Sequence, residues 1–548
     1  MSTNSPDGIV IGIRAGQVNE ASQESLKAHS TSDIAQQWSN ARISDPNKPG
    51  QLRVFYPSKQ NEPVIAAVSV QGGEVKPAPK TAPDTVPAAA TWLRNEHLEQ
   101  SRLAAAKGVR SLRDLPLADG KDANGRRTLA VDSFTSPHAA ATGAGLALWR
   151  FNHFKSRGVN AAFEKDYELQ GGRNVEYVPL QSQDKDGAQL LDQGDEIKQS
   201  TVPLSWKTGH VYAEAQNWTR ELAETPANHL TPSIYSDKVK TKLSDLKNIS
   251  IEAHDEAWAR AKGMGSFISV TQGTDEPAKM LEVHYNGAGK EAPVLGLVGK
   301  GITFDTGGIS IKPGAGMKRM RADMGGSATC LGAIYALAKL QVPVNVVAVM
   351  PLTENMPSGH ATKPGDIAKA MNGLTIDIDN TDAEGRLVMA DALTYVSREF
   401  KPTVLLDIAT LTGAAVTALG DTYSAAFTED EKLWQALKEA GEAENDPFWR
   451  MPLDDRYLQY IDNGYADVIN RGLPAGACTA AIFLKQFVEG LEDRAKGKPA
   501  TVRYAHLDIA GPMDAVAACA YQDKGGMTGR PTRAIIEFAR RFALWKET

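Results

Sequence analysis

Cysteine is scarce in this sequence, and the three residues present, Cys330, Cys478 and Cys519, are widely spaced. Three scattered thiols do not make a disulfide framework, so the sequence favours a reducing compartment such as the cytoplasm. No run of roughly 18 or more apolar residues occurs, which excludes a conventional membrane-spanning helix. The first residues contain no cationic segment followed by a long apolar core, so we expect no secretory signal.

Neither sign of charge dominates, since 60 Lys and Arg residues face 66 Asp and Glu residues, for a formal net charge of −6. Such a balance gives no bulk attraction to a phosphate backbone or an anionic membrane, so neither is expected as a main partner. The 42% of hydrophobic and 23% of charged residues are typical of globular proteins. A chain of 548 residues is too long to fold around a single hydrophobic core, so its length predicts at least two domains.

Several catalytic motifs are also missing. The sequence contains no HExxH helix and no Gly-x-Ser-x-Gly elbow, so a single-zinc protease or a serine hydrolase has no residues to act through. The stretch Gly287–Lys290 resembles a phosphate-binding loop, but Glu291 stands where a serine or threonine is required.

The first part of the chain, residues 1–205, predicts an N-terminal α/β domain, for which we expect a role in assembly or access. Short β-rich runs alternate there with polar stretches compatible with helices; the runs are Ile9–Ile13, Val54–Tyr56 and Val64–Val70. Four prolines between Pro77 and Pro87 and an aperiodic polar stretch, Gln181–Gly194, predict surface loops.

A helix predicted at Val211–Glu224 lies in a linker, residues 206–225, and Pro226 ends it. The remaining residues, 226–548, predict a catalytic domain in which apolar strands alternate with helices. The strands are Val294–Val298, Val344–Met350 and Val404–Ile408, and the helices are Met324–Leu340 and Leu387–Glu399. This alternation predicts an α/β fold with a mostly parallel central sheet covered on both faces. Ligand sites of such folds lie beyond the carboxyl ends of the strands.

The first chemically unusual segment is VGKGITFDTGGISIK, residues 298–312. Lys300 and Asp305 leave a strand end on a glycine-rich loop, and glycine lets the backbone approach a ligand closely. Apolar side chains flank these charges and predict that the loop packs inward; they are Ile302, Phe304, Ile309 and Ile311. Lys300, Asp305 and Lys312 are therefore expected to be partly buried.

The second segment is NTDAEGR, residues 380–386. If it is extended, the alternation of side chains places Asp382, Glu384 and Arg386 on one face. Two carboxylates so close raise each other's pKa unless a cation lies between them. Arg386 could be that cation in a structural salt bridge, so this segment alone leaves the structural interpretation open.

The two segments together contain four carboxylates that need compensation once buried; they are Asp305, Asp323, Asp382 and Glu384. Two divalent cations would balance their charge, and oxygen ligands suit Mg²⁺, Mn²⁺ or Zn²⁺. A lysine pressed against such a site could lose its proton and bind a metal through nitrogen, because desolvation and the metal charge both lower its pKa.

The string NTDAEGRLVMADAL, residues 380–393, resembles the signature of the cytosolic leucyl aminopeptidases. VGKGITFDTGGISIK and the RADM string at residues 321–324 resemble the other metal-site motif of that family. Further similar strings are DIATLTGA at 407–414, PAGACTAA at 474–481, AHLDIAG at 505–511 and GMTGRPTR at 526–533. The resemblance covers about residues 210–548 well and the N-terminal part only loosely.

This resemblance implies a two-metal aminopeptidase. Asp305 and Glu384 would bridge two divalent cations, Zn²⁺ or Mn²⁺ or else Mg²⁺ or Co²⁺. Asp382 would complete the more exchangeable metal site, partly through its backbone carbonyl. Lys300 and Asp323 would complete the tighter one.

The resemblance also implies the remaining roles. Lys312 would bind the substrate carbonyl and stabilise its oxyanion, and Arg386 would hold a bicarbonate ion or an equivalent base. Positions matching the substrate pocket are Met320, Thr410, Leu411 and Gly413. The expected substrates are peptides and aminoacyl amides with leucine-like N-terminal residues, and the expected assembly is a homohexamer.

Two alternatives from other classes remain at this point. A two-metal phosphoesterase could use the same carboxylates, with Lys312 and Arg386 binding phosphate oxygens. A non-catalytic binding or scaffold protein of the same fold, including a DNA-binding one, would predict loss of metal ligands, whereas all seven matching positions are filled.

Overall fold

The computed structural model describes residues 6–18, 20–40, 48–57, 59, 62–70, 87–113, 115, 127–154, 175–180, 202–492, 499–514, 518–522 and 525–545. Residues 77–86 and 181–194, which were expected to form loops, lie outside the described residues. The chain divides into two compact units. The first consists of Met1–Asn217 with Ala517–Lys524, and the second of Trp218–Val516 with Gly525–Thr548.

The described residues of the first unit form a sheet of six strands, in which β1 pairs in parallel with β4 and β5. The strands are β1 (Gly8–Arg14), β2 (Gln17–Val18), β3 (Leu52–Phe55), β4 (Val64–Val70), β5 (Arg127–Val131) and β6 (Val175–Pro179). The helices are α1 (Glu20–Lys27), α2 (Ile34–Asn40), α3 (Pro87–Arg113) and α4 (Pro137–Leu148). Helix α5 (Trp206–Glu224) begins in this unit and ends in the next.

The second unit contains, within its described ranges, a sheet of nine strands and a smaller sheet of three. The large sheet contains β7 (Ile249–His254), β8 (Lys279–Asn286), β9 (Val294–Gly299), β10 (Gly301–Asp305), β11 (Asn345–Asn355), β14 (Val404–Ala409), β15 (Ser424–Phe427), β16 (Phe448–Met451) and β18 (Arg503–Asp508). The small sheet contains β12 (Asp366–Lys369), β13 (Thr375–Ile378) and β17 (Val468–Ile469).

Helices cover the large sheet, and several begin at a side-chain cap. Thr231 caps α6, Thr412 caps α11 and Asp430 caps α12, each accepting a backbone N–H three residues on. The helices of this unit are α6 (Pro232–Leu243), α7 (Glu256–Ala261), α8 (Gly265–Thr271), α9 (Gly325–Leu340), α10 (Glu384–Glu399), α11 (Gly413–Leu419), α12 (Glu431–Ala443), α13 (Gly476–Lys485) and α14 (Thr532–Phe542). Four 3₁₀ turns lie at Ala227–His229, Met317–Ala322, Thr381–Ala383 and Asp455–Tyr460.

The centre of the large sheet is parallel, as the apolar strands predicted. Strand β9 pairs in parallel with β11 and β14, and β14 pairs in parallel with β18. These strands are almost entirely buried, since α10 and α13 contribute to a core on one face and α9 packs on β9 and β14. The carboxyl ends of the parallel strands meet at one edge, where the candidate site lies. The predicted α/β fold class is confirmed.

Two predicted elements that contribute to the candidate site are longer than expected. The strand expected at 344–350 continues to Asn355, and the helix expected at 387–399 begins at Glu384. Both extensions add polar residues that an apolar pattern does not reveal. No helix among the described residues is long and apolar enough to cross a membrane.

Candidate active site

The charged residues predicted from the two segments lie where β9, β10 and α10 meet. Lys300 separates β9 from β10, and Asp305 is the last residue of β10. Asp382 belongs to the 3₁₀ turn Thr381–Ala383, and Glu384 is the first residue of α10. Asp323 directly follows the 3₁₀ turn Met317–Ala322.

The second segment is helical rather than extended, so the premise of side-chain alternation is wrong. Asn380 accepts a hydrogen bond from the backbone N–H of Asp382 at 2.9 Å and so begins the turn. Glu384 then starts α10. Asp382 and Glu384 still converge, because a turn leading into a helix brings nearby side chains together.

Three of the predicted ligands already satisfy the spacing of a metal site. One carboxylate oxygen from each of Asp305, Asp382 and Glu384 lies within 4.8 Å of the others. Asp323 joins them through Lys300, whose Nζ lies 2.6 Å from Asp323 Oδ2 and 2.9 Å from Glu384 Oε1. All four carboxylates therefore belong to one group, which we call the site cluster together with Lys300 and Lys312.

Lys312 closes the solvent-facing side of the site cluster. Its Nζ lies 2.8 Å from Asp305 Oδ2 and also contacts Asp382 Oδ1. The side chains of Lys312 and Asp382 are 21% and 32% exposed, whereas those of Lys300 and Asp305 are buried. A substrate arriving from solvent therefore meets Lys312 and Asp382 first.

Two lysines do not fully compensate the four carboxylates of the site cluster. Burial and the neighbouring carboxylates raise the pKa of Glu384 to about 8 and that of Asp323 to about 6. Burial also raises the pKa of Asp382. Burial opposes the charge of Lys300, but Asp323 and Glu384 outweigh it and raise the pKa of the ammonium. The site cluster thus has a deficit of positive charge.

The residues fit a pair of divalent cations. Asp323 Oδ2 and Asp382 Oδ1 are buried, and each forms an ion pair with a lysine, Lys300 and Lys312 respectively. Buried carboxylate oxygens of this kind are preferred ligands of hard or borderline cations. Lys300 can serve as a ligand only after a bound cation has replaced its proton.

Close packing around Lys300 depends on glycine. A Cβ on Gly385 would lie 2.6 Å from Lys300 Cε, and a Cβ on Gly326 would lie 1.9 Å from the carbonyl oxygen of Ile408. Any larger residue would displace the lysine or separate α9 from the sheet. Both glycines therefore allow the charged side chain to enter a packed region.

The loop after β10 does not pack inward along its whole length, as its sequence had suggested. Ile302 is buried, but Ile309 and Ile311 are 42% and 62% exposed. Gly307 and Gly308 have φ of +89° and +67° and reverse the chain after β10, so the following residues face solvent. The reversal returns Lys312 to Asp305, with its N–H donating to Thr306 O at 2.8 Å.

The predicted pocket residues lie at different distances from the cluster. Thr410 belongs to it directly, because its hydroxyl donates to Asp323 Oδ1 at 2.8 Å and its carbonyl accepts from Lys300 Nζ at 3.1 Å. Leu411 packs beside Gly385 and Lys300. Met320 accepts the backbone N–H of Asp323 at 3.3 Å, and Gly413 is the exposed first residue of α11.

Arg386 lies on the first turn of α10, two residues after Glu384. Its guanidinium donates to the carbonyl of Asn470, and its Nε has no hydrogen-bond partner within the described ranges. Burial lowers the pKa of Arg386 to about 10, so it remains positively charged at neutral pH. A partly buried cation with an unused N–H is suited to bind a small anion.

Two polar residues of this region were missed by the sequence analysis. Asp508, the last residue of β18, accepts hydrogen bonds from Leu411 N at 3.1 Å and Thr412 Oγ1 at 2.6 Å. Asn355, the last residue of β11, donates to Asp305. The position of both residues at strand ends could have identified them. The strand predicted at 344–350, however, stopped before Asn355, so this residue was not recognised as a strand end.

Comparison with known proteins gives a consistent result. The family model described as "Cytosol aminopeptidase family, catalytic domain" matches residues 217–536. Human cytosol aminopeptidase is 40% identical over 503 residues, which cover 91% of this chain and 85% of the relative.

Solved structures are also similar to this chain. The bottromycin maturation enzyme BotP, described in complex with Mn, is 28% identical with a TM-score of 0.72 over 98% of this chain and 100% of that one. A tomato leucine aminopeptidase variant is 27% identical with a TM-score of 0.69 over 98% of this chain and 94% of that one.

Proposed function

The chain belongs to the cytosol aminopeptidase family and is a metal-dependent aminopeptidase, and we propose that it uses two divalent cations in the site cluster to remove leucine-like N-terminal residues. One observation carries this proposal. Oxygens of Asp305, Asp382 and Glu384 lie within 4.8 Å of one another, beside Asp323 and Lys300, and their charge is only partly compensated.

The ligands divide between two cations as follows. Asp305 and Glu384 would hold both cations. Lys300 and Asp323, which form an ion pair with each other, would complete the tighter site. Asp382, which is partly exposed, would complete the more exchangeable site. Zn²⁺ and Mn²⁺ are the proposed ions, with Mg²⁺ and Co²⁺ as alternatives, and the relative described with Mn supports Mn²⁺.

Cations held by these residues would supply a water molecule of lowered pKa and a position for the free α-amine, which an internal amide nitrogen could not fill. Lys312 binds the carbonyl oxygen of the scissile bond from the solvent side. Asp305 and other carboxylates outweigh the effect of burial and raise the pKa of the Lys312 ammonium. As an ammonium, Lys312 would stabilise the developing oxyanion. Arg386 would hold a bicarbonate ion or an equivalent base, which would supply general acid–base chemistry between the water and the leaving amine.

Side-chain selection is assigned to the residues around Thr410. Leu411 and Met320 provide apolar surface, and Gly413 leaves space at the start of α11. A pocket of this composition suits leucine-like side chains better than charged ones. The phosphoesterase and scaffold alternatives are not favoured, because the family is that of aminopeptidases and the ligand set is intact.

A substrate panel tests the reaction. The chelated protein is given Mn²⁺ or Zn²⁺ and assayed with leucine p-nitroanilide, its N-acetyl derivative and p-nitrophenyl phosphate. We expect metal-dependent hydrolysis of the free-amine substrate and none of the acetylated one. Equal cleavage of both anilides, or hydrolysis of the phosphate alone, would refute the proposal.

We further propose a homohexamer acting on peptides in the cytoplasm, with the N-terminal domain serving assembly or access. The support is the family assignment together with relatives named cytosol aminopeptidases. Sedimentation equilibrium tests the assembly. A mass close to that of one 58.9 kDa chain would refute it.

A further inference from the structure

Asn355 lies directly beside Asp305 in the large sheet. Strands β10 and β11 are parallel there, and these two residues are register partners at the carboxyl ends of their strands. Asn355 is 5% exposed, so its amide must satisfy its hydrogen bonds inside the protein. The backbone carbonyl of Asn355 accepts from Thr306 N at 3.0 Å and from Thr306 Oγ1 at 2.8 Å, and these bonds fix the backbone at this position.

The side-chain amide of Asn355 faces both of the proposed bridging carboxylates. Its Nδ2 donates to Asp305 Oδ1 at 2.8 Å and lies 3.5 Å from Glu384 Oε2. The same nitrogen donates to the carbonyl of Thr381 at 3.1 Å, in the turn that carries Asp382. One amide therefore connects β10, the 3₁₀ turn and the first residue of α10.

The orientation of this amide follows from charge. If the amide were reversed, its oxygen would face the carboxylates of Asp305 and Glu384 and be repelled by them. In the observed orientation, Oδ1 lies on the side of Gly308, 2.8 Å from where a Cβ on that glycine would stand. The donor therefore points to the carboxylates.

The contacts give the two oxygens of each bridging carboxylate different surroundings. Asp305 Oδ1 accepts from Asn355 and from Gly307 N, both at 2.8 Å, whereas Oδ2 faces Lys312 within the site cluster. Glu384 Oε2 lies toward Asn355, whereas Oε1 faces Lys300. Oδ2 and Oε1 are thus the oxygens presented to a cation.

A neutral donor is suited to this position. A lysine or arginine in place of Asn355 would add charge and compete with a cation for the carboxylates. An apolar residue would leave both carboxylates free to rotate and would bury their oxygens without a partner. A neutral amide donates to one oxygen of the carboxylate and leaves the negative charge available to a cation.

We propose that Asn355 is a positioning residue that orients Asp305 and Glu384 for cation binding. This inference rests on the proposed two-metal function and adds a determinant of metal affinity outside the ligands themselves. It differs from a packing role, because a residue that only packs would affect folding stability and leave metal affinity unchanged.

The test uses Asn355→Leu, which keeps the size and removes the donor, and Asn355→Ser as a second variant. Asn345→Leu is the matched control, because Asn345 lies at the opposite end of β11, is 7% exposed and uses its side chain to bond the backbone of Ala288 and Gly289. Each full-length protein is chelated, titrated with MnCl₂ by calorimetry, and assayed with leucine p-nitroanilide.

We expect both Asn355 variants to bind Mn²⁺ about 10–100-fold more weakly than wild type. Excess Mn²⁺ should restore much of their activity, because the ligands themselves are intact. Asn345→Leu should lower the melting temperature while keeping wild-type Mn²⁺ affinity.

The outcomes separate the two proposals. A wild-type protein that binds no Mn²⁺ and hydrolyses no anilide with any of the proposed cations refutes the proposed function, and this inference with it. A functional wild type with Asn355 variants within twofold of its Mn²⁺ affinity refutes the inference alone. An equal loss in Asn345→Leu, or unfolding of both Asn355 variants by circular dichroism, would show a structural role and also refute it.

Discussion

Two groups of buried charges in the described part of the second unit differ in their charge balance. In the site cluster, four carboxylates face two lysines. Around α14, three arginines lie beside three carboxylates: Arg540 Nη2 lies 2.7 Å from Glu537 Oε1, and Arg533 Nη1 lies 3.2 Å from Glu444 Oε2. Arg541 Nε also lies 2.7 Å from Glu537 Oε1, and its Nη1 lies 3.5 Å from Glu439 Oε2. We call this second group the α14 cluster.

The balance determines the direction of the pKa shift. Burial on its own would raise the pKa of both Glu537 and Glu384. At Glu537 the charges of Arg540 and Arg541 outweigh burial, and the pKa falls well below its usual range. At Glu384 burial and Asp305 prevail over the lysines, and the pKa rises to about 8. A compensated group of buried charges indicates structure, and an uncompensated one indicates a ligand site.

The largest contrast is expected from Glu384→Ala, which removes a bridging ligand from the site cluster. Peptidase activity should be abolished and the metal content should fall below that of wild type, while the fold is largely kept. Activity on leucine p-nitroanilide and metal analysis measure both. Activity within tenfold of wild type, after the metal content has been checked, would contradict the site assignment.

A smaller loss is expected from Lys312→Met, because Lys312 is proposed to act on the substrate without binding a cation. Removing the donor to the oxyanion should lower kcat by about 10²–10³ with metal content unchanged. Steady-state kinetics with metal analysis on the same sample measures this. Loss of bound metal in this variant would instead make Lys312 a part of metal binding.

A substitution in the α14 cluster should lower stability and leave activity unchanged, which is the opposite of the effect expected in the site cluster. Glu537→Gln removes one counter-charge from Arg540 and Arg541 and should lower the free energy of unfolding by about 3–5 kcal/mol at neutral pH. The kcat of the folded protein should be unchanged at low temperature. Urea unfolding and kinetics measure the two quantities, and a kcat reduced more than a few-fold would show that the two clusters are coupled.

The smallest effect concerns pH. Glu384 has a folded pKa of about 8 against an ordinary value near 4.5, so its ionisation is disfavoured in the folded state. The stability of chelated protein should therefore fall as pH rises from about 4.5 to about 8. Saturating Mn²⁺ should remove this dependence, because a cation favours the ionised form. Melting temperatures across that range, with EDTA or with Mn²⁺, provide the measurement.

Much of the second unit could be predicted from its sequence. The strands at 294–298 and 404–408 are confirmed because buried parallel strands produce continuous apolar runs. The site cluster residues could be proposed because several charges next to apolar positions require compensation. The family assignment is also confirmed.

The remainder depended on conformation that side-chain patterns do not encode. The turn at Thr381–Ala383 follows from a side-chain cap by Asn380, which competes with an extended backbone. The exposure of Ile311 follows from the reversal at Gly307 and Gly308. Asn355 was missed because its role comes from register with Asp305, a contact between residues 50 positions apart.

The central claim is that the uncompensated carboxylates of the site cluster hold two cations. Anomalous diffraction at the manganese edge, from crystals grown with Mn²⁺, tests it most directly. We predict two peaks per chain, both within bonding distance of Asp305 and Glu384, with Lys300 and Asp323 on one and Asp382 on the other. A site with Asp305 and Glu384 apart and no anomalous peak between them would contradict the account.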